Sequence, residues 1–179
     1  MFEIETARLR LRPFAPDDLD ALVALRSRAE VVQYIGGATQ TREFIEQRLR
    51  FYISCYEQYG FGMSGVVQKP DRKLIGWCGL QPLEDSGEIE VGYGFDKPYW
   101  RQGFAFEAAA AWLKYGFEHA GLKRIVAVTM PENEGSWRVM EKLGMHFEKR
   151  ARHYNLECLF YAIAREEFQP NNSFYALHN

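Results

Sequence analysis

The stretch Trp100-Arg101-Gln102-Gly103-Phe104-Ala105 constrains the fold of this chain more than any other. Before it, Ile89 to Phe95 has the composition of a strand. After it, Phe106 to Ala120 has the apolar spacing of an alanine-rich helix. A strand that passes through a short glycine-containing loop into a helix leaves the first-turn N–H groups unpaired, and the helix dipole adds positive character there. Such a junction is an anion site. Gly103 has no side chain, so a phosphate reaches the main chain closely. The loop lacks the Lys-Ser or Lys-Thr ending of a nucleotide P-loop. It suits a ligand that carries a pyrophosphate and needs no metal. Taken alone, the same pattern also fits an ordinary strand-to-helix turn.

The order of elements narrows the choice. Arg8 to Arg12 alternates like a strand, and Pro16-Asp17-Asp18 opens a helix that carries Leu19, Leu22, Val23 and Leu25. Gly36-Gly37 breaks the chain. A second helix is predicted over 41–56, burying Phe44, Ile45, Leu49, Tyr52 and Ile53. Strands at 61–68 and 73–80 flank the turn Lys69-Pro70-Asp71-Arg72, and Glu88 to Phe95 forms the next strand, with Gly92 and Gly94 marking a bulge or a close backbone approach. The helix after the loop ends at Gly121. A strand at 124–129, a short helix at 134–143 and strands at 145–149 and 157–164 follow, and the segment from 169 to 179 reads as a polar, mobile tail. This is one α/β domain over 1–168, with a mixed, mostly antiparallel sheet of six or seven strands flanked by about four helices.

Composition excludes several classes. A net charge of −2 provides no basic field for nucleic acid, so a phosphate-rich partner must be bound locally. The three cysteines, Cys55, Cys78 and Cys158, are odd in number and widely spaced, which points to reduced thiols in the cytoplasm. His119, His146, His153 and His178 have no metal-ligand spacing. The N-terminus has early acids and no apolar core, unlike a signal peptide, and no apolar run approaches a membrane span. Lys97 stands where a dinucleotide fingerprint beginning at Gly92 needs its third glycine, and Gly62-Met63-Ser64-Gly65 lacks the last glycine of a nucleophile elbow.

The order of elements, the loop WRQGFAFEA and the segment NEGSWRVMEKLGM resemble the GNAT superfamily of acyl-CoA N-acyltransferases. With ETARLRLRPF, EVVQYIGG and IEVGYGF, they resemble more closely its branch of ribosomal-protein N-terminal acetyltransferases of the RimJ/RimL kind. The match covers about Thr6 to Ala164. It implies a sheet splayed after the strand that ends at Phe95, with pantetheine pairing to the backbone of Tyr93 and Phe95. It implies that the main chain of Arg101, Gln102, Gly103, Phe104, Ala105 and Phe106 holds the pyrophosphate of acetyl-CoA, that Asn133 contacts the pantetheine arm, and that Ser136 lies at the thioester sulfur as general acid. The sequence departs from the pattern at Trp100, which replaces a Gln or Arg, at Phe106, which replaces a small hydroxyl residue before Glu107, and at Met140, where many relatives have a tyrosine acid.

The reaction implied is direct transfer of an acetyl group from acetyl-CoA to a primary amine, on a protein N-terminus or a small molecule. An amine attacks a thioester only when neutral, so a base is needed, and Glu90 beside the bulge is the candidate. A backbone N–H near Phe95 serves the developing oxyanion. Each role has a plainer rival: Asn133 as an N-cap, Ser136 as a first-turn serine, Glu90 as a solvated or ion-paired strand residue. Tyr34, Tyr59, Phe61, Trp77 and Tyr154 line an acceptor pocket or pack in the core. The functional rival is a noncatalytic acyl-CoA-binding or sensing protein. Monomer and homodimer both remain open.

Overall fold

The computed structural model describes residues 2–36, 40–170 and 173–178. Gly37 and the two asparagines after Pro170 lie outside the described residues. In chain order the elements are β1 (Glu3–Thr6), β2 (Leu9–Pro13), α1 (Leu19–Arg26), α2 (Ala29–Val32), α3 (Arg42–Tyr59), β3 (Met63–Gln68), β4 (Lys73–Pro82), β5 (Ile89–Phe95), α4 (Phe104–Glu118), β6 (Arg124–Thr129), α5 (Glu134–Lys142), β7 (His146–His153), β8 (Leu156–Ala164) and β9 (Tyr175–His178). A nine-stranded sheet runs in the order β7-β8-β6-β5-β4-β3-β2-β1-β9. Its pairs are antiparallel except β5–β6, which is parallel and joined at one Cα pair, Glu90 with Val126.

Capping residues and glycines account for the helix bounds. Thr41 accepts the Phe44 N–H at 3.2 Å at the start of α3, and Gly60 ends that helix in the left-handed conformation. Ile45, Leu49, Tyr52 and Tyr56 form its buried stripe. Phe44, predicted to be buried, is exposed, because it sits one residue off that stripe. The turn Pro16–Asp18 is a short 3-10 helix leading into α1, held by Asp18, which takes the Arg12 guanidinium at 2.6 and 2.7 Å and the Ala15 N–H at 2.8 Å.

The sheet separates two apolar layers. On one face α4 packs with Trp112 and Leu113 fully buried, beside Leu80, Val91 and Ile125. On the other, α1, α2 and α3 cover Phe14, Met63 and Trp77. Gly92 and Gly94 are close approaches on this second face. A Cβ on Gly92 would lie 2.6 Å from the Met63 methyl, and one on Gly94 would lie 2.2 Å from the Trp77 ring.

The strand count exceeds the sequence expectation because both termini join the sheet. β1 is four residues long and pairs with β9 from the opposite end of the chain, in the register Glu3–His178 to Thr6–Tyr175. The tail is therefore not simply a mobile appendage. Arg165 Nη2 bonds the Phe117 carbonyl at 2.5 Å, the Phe168 ring lies 5.1 Å from that of Phe117, and the Tyr175 ring lies over Lys114. β7 runs four residues beyond its predicted end, as a charged edge strand that turns into β8 through Tyr154 and Asn155, both at positive φ. The one-turn helix α2 was too short to be read from periodicity.

Truncation after Phe168 removes β9 and should cost about 1–3 kcal/mol, a fall of several degrees in Tm, given typical cross-strand pair energies. Thermal unfolding of the truncated chain checks this. An unchanged Tm would show that the β1–β9 pairing adds no net stability.

Candidate functional site

β5 and β6 pair at Glu90–Val126, near their N-terminal ends, and part beyond it. Strand residues alternate in direction, so β5 presents different chemistry on its two faces. Glu90 lies on the face of Gly92 and Gly94, under α1 and α3. Tyr93 and Phe95 lie on the face of α4 and α5. The backbone N–H and C=O groups alternate as well: the Asp96 N–H bonds the Ile75 carbonyl in β4 at 2.8 Å, so the groups of Tyr93 and Phe95 face the opening.

Glu90 is 4% exposed. Its Oε1 accepts from Gln81 Nε2 at 2.6 Å and from the Tyr154 hydroxyl. Burial raises its carboxyl above the ordinary range, against the pull of those two hydrogen bonds and of the Arg48 charge. Tyr154 reaches it from the β7–β8 turn at φ 52°, a conformation unusual for a bulky residue. Glu84 secures that turn by accepting the Tyr154 N–H at 3.0 Å and lying 2.9 Å from His153 Nδ1. Tyr154 thus holds the carboxylate rather than packing in the core. Phe61 and Trp77 are buried, Tyr34 is partly buried and Tyr59 is exposed.

The loop before α4 has the predicted form. Arg101 and Gly103 both take positive φ, 59° and 81°, and no side chain caps the first turn of α4. A Cβ on Gly103 would meet only Arg8 Nη2, at 3.4 Å. Arg101, Gln102 and Gly103 are exposed, Phe104 is buried, and Ala105 and Phe106 are partly buried. Trp100 Nε1 donates to the Phe95 carbonyl at 2.7 Å, tying the loop to the end of β5. That carbonyl is therefore already engaged, which narrows the expected Phe95 contact to its N–H. Tyr93 keeps both backbone groups toward the opening.

Arg8 is a site residue the sequence did not single out. Its Nη1 donates to the Gln102 carbonyl at 2.9 Å, its Nε bonds Glu107 at 2.6 Å, and its guanidinium lies 4.2 Å over the Phe104 ring. Glu107 also accepts from the Thr6 hydroxyl at 2.7 Å. A groove of about 380 Å³ opens beside Gly103 and runs along Phe106, Ala110 and Lys114 of α4. Lys114 and Lys142 line it, together with Arg8 and its ion-pair partner Glu107.

Asn133 is the N-cap residue of α5, as one reading of the sequence had it, but its side chain makes no cap bond, which leaves its amide without a hydrogen-bond partner among the described residues. The Ser136 hydroxyl donates to the Tyr93 hydroxyl at 3.2 Å, which donates to the Ser136 carbonyl at 3.0 Å. Burial, chiefly, raises the Tyr93 phenol well above its ordinary value, so it stays protonated. The sequence pointed to the Tyr93 backbone and gave no signal for its hydroxyl, because residues 93 and 136 meet only in the fold. Met140 is buried and apolar and has no proton to give.

The arrangement has an uncapped helix N-terminus at one end of an opened strand pair, a buried carboxylate on one face and a hydroxyl pair on the other. It suits an extended, phosphate-bearing acyl donor that meets an acceptor across the sheet. The comparisons agree. The family described as Acetyltransferase (GNAT) domain matches residues 8–146. The Bacillus subtilis protein named uncharacterized N-acetyltransferase YoaA is 35% identical over 159 residues, which cover 86% of this chain and 89% of the relative. The crystal structure of an acetyltransferase of the GNAT family from Bacillus anthracis superposes with TM-score 0.79 and 32% identity, over 92% of this chain and 99% of that one. That of a ribosomal-protein-S5-alanine acetyltransferase from Vibrio fischeri shares the fold, with TM-score 0.77, 22% identity, and 94% and 99% coverage. An opened sheet, an uncapped helix N-terminus after a glycine loop and these likenesses together make the chain a member of the GNAT acetyltransferase family, an enzyme that transfers an acetyl group from acetyl-CoA to an amine.

Proposed function

We propose that Glu90 is the general base of this transfer and that Ser136, coupled to Tyr93, supplies the proton to the departing thiolate. The observation that carries this reading is the position of Glu90. It is a buried carboxylate with raised proton affinity, at the last paired rung before β5 and β6 part. A base tuned upward from the ordinary carboxylate range accepts an amine proton better at neutral pH. Acetyl-CoA brings the acyl group as a thioester. The backbone of Tyr93 and the amide of Asn133 would hold its pantetheine arm, and the N–H groups of Gly103 to Phe106 its pyrophosphate. The fit rests on the uncapped α4 turn and on the open space where a Gly103 Cβ would stand. Arg8, Lys114 and Lys142 would face its remaining phosphate.

The N–H of Phe95 would donate to the carbonyl oxygen as charge develops there. Cys55, Cys78 and Cys158 are buried and stand in no nucleophile arrangement, so the amine attacks directly without a covalent enzyme step. The proton leaves the amine for Glu90, and the thiolate takes one from the Ser136–Tyr93 pair. Segments such as ETARLRLRPF and IEVGYGF support placement in the RimJ/RimL-like branch, with a protein N-terminus or a small amine as acceptor. The buried free thiols suit the reducing cytoplasm.

Three outcomes test the assignment. Glu90→Gln keeps size and both hydrogen bonds but cannot take a proton. Turnover at neutral pH should fall about 10²–10⁴-fold with acetyl-CoA affinity kept, and the deficit should shrink as pH rises and more amine arrives neutral. Coenzyme release across pH measures this; wild-type turnover in the variant would make Glu90 structural.

The same substitution has a stability signature. A carboxyl whose folded pKa is raised binds its proton in the native state after the unfolded chain has lost it. It therefore lowers stability as pH climbs above its ordinary 4.5. Glu90→Gln should gain Tm relative to wild type over that range and show no growing gain below it. A pH-independent difference would contradict the raised pKa.

Gly103→Val should weaken acetyl-CoA binding by about tenfold or more, through loss of charge-assisted contacts to the main chain. Gly103→Asn tolerates the left-handed conformation and separates backbone strain from bulk. Calorimetric titration reads both, and unchanged affinity in folded Gly103→Val would remove the loop from the site.

A further inference from the structure

The structure assigns an anion subsite to Arg26 and Arg48, and we infer that the amine acetylated here carries a carboxylate on the same molecule. This rests on the reading that Glu90 receives the amine.

Arg26, at the end of α1, is 3% exposed. Its Nε donates to Gln40 at 2.6 Å, its Nη1 to the Tyr52 hydroxyl at 3.1 Å, and its guanidinium lies 4.7 Å over the Trp77 ring. Its Nη2 has no hydrogen-bond partner among the described residues. Arg48, on α3, lies 5.0 Å from the centres of both the Phe51 and Tyr52 rings, and its Nη2 donates to Gln81 Oε1 at 3.3 Å. None of these partners is a carboxylate. Among the described residues neither guanidinium is in a salt bridge, whereas Arg8, Arg12 and Arg28 each sit on a carboxylate. Gly37, Ala38 and Thr39, just before Gln40 in the chain, have no acid to offer.

Two guanidiniums braced by aromatic rings, with no directly bonded carboxylate among the described residues and with Glu90 acting on Arg48 only across Gln81, leave positive charge incompletely neutralised here. An apolar side chain would cover Trp77 at less cost. The field is strong enough to act on Tyr52: burial pushes its phenol up, yet the two guanidiniums outweigh that and hold it below its ordinary value. The planar guanidinium fork matches a carboxylate, and stacking on a ring fixes its direction.

Gln81 sets the spacing to the base. Its carbonyl oxygen faces Arg48, and its amide nitrogen faces Glu90 at 2.6 Å. An acceptor with its amine on Glu90 and a carboxylate on Arg48 would span one amide side chain. An amino acid and a peptide N-terminus followed by an acidic side chain both offer that pair of groups.

The test compares acid and neutral partners as substrates of the whole enzyme: glutamate against its dimethyl ester, and peptides with glutamate or glutamine in second place. The acids should exceed their neutral partners by about 10–100-fold in kcat/KM, the worth of a hydrogen-bonded charge. The free amino acid and the peptide arms distinguish the two sources of the carboxylate. Arg48→Gln should erase the preference with the KM for acetyl-CoA unchanged, and Arg48→Lys should restore part of it. The wild-type comparison needs no variant, so a misfolded substitution cannot hide the answer. Equal turnover of acids and neutral partners by wild type, or an undiminished preference in folded Arg48→Gln, overturns the subsite alone. No turnover of any amine overturns the reading of Glu90 at the amine, and the acceptor assignment falls with it.

Discussion

The parting of β5 from β6 is the constraint on which the rest of the structure depends. A parallel pair joined at one rung leaves backbone donors and acceptors unpaired inside a sheet, a costly arrangement unless something else satisfies them. Here the indole of Trp100 takes the Phe95 carbonyl, and the remaining groups of Tyr93 and Phe95 stay available to an extended ligand that completes the sheet. The opening is sustained from both sides. Antiparallel pairing with β4 holds β5 along its whole length, and β8 holds β6. Gly92 and Gly94 let Met63 and Trp77 press against β5 on one face while α4 covers the other.

This geometry separates the proposed acid from the proposed base. Alternation along one strand puts the Glu90 carboxylate and the Tyr93 hydroxyl on opposite faces, with the gap between the strands joining them. The proposed proton acceptor and donor therefore sit in different surroundings. Glu90 lies in a polar network with Gln81, Tyr154 and Arg48, and Tyr93 lies in a tight hydroxyl pair with Ser136. Burial raises the proton affinity of both groups, which favours proton acceptance at the Glu90 carboxylate and keeps the Tyr93 phenol protonated. The turn that carries Tyr154 is strained, and the two contacts from Glu84 hold it.

The two ends of the opening differ in charge origin. At the coenzyme end, positive character comes from backbone N–H groups at the start of α4, reinforced by Arg8, whose own charge is balanced by Glu107. On the side proposed for the acceptor it comes from Arg26 and Arg48, which form no salt bridge among the described residues and are held by aromatic rings. Dipoles and balanced charges suit a ligand that is released after each turnover. Unbalanced charges suit discrimination, because the wrong ligand leaves them buried and unpaired.

Local sequence determined the strand–loop–helix junction, the bounds of β6 and the buried stripe of α4, because these follow from short-range periodicity, turn chemistry and backbone sterics. The resemblance carried by WRQGFAFEA and NEGSWRVMEKLGM located the opened sheet. Phe44 was misplaced because its neighbour Ile45 shares its hydrophobicity, and helical geometry admits one of them to the core. Tertiary structure alone decided the rest. β1 and β9 pair across the full length of the chain, Tyr154 reaches Glu90 from another hairpin, and Arg26 and Arg48 converge from separate helices. Contacts at such separations leave no periodic trace, since each partner satisfies its own local pattern equally well whether or not the other is near.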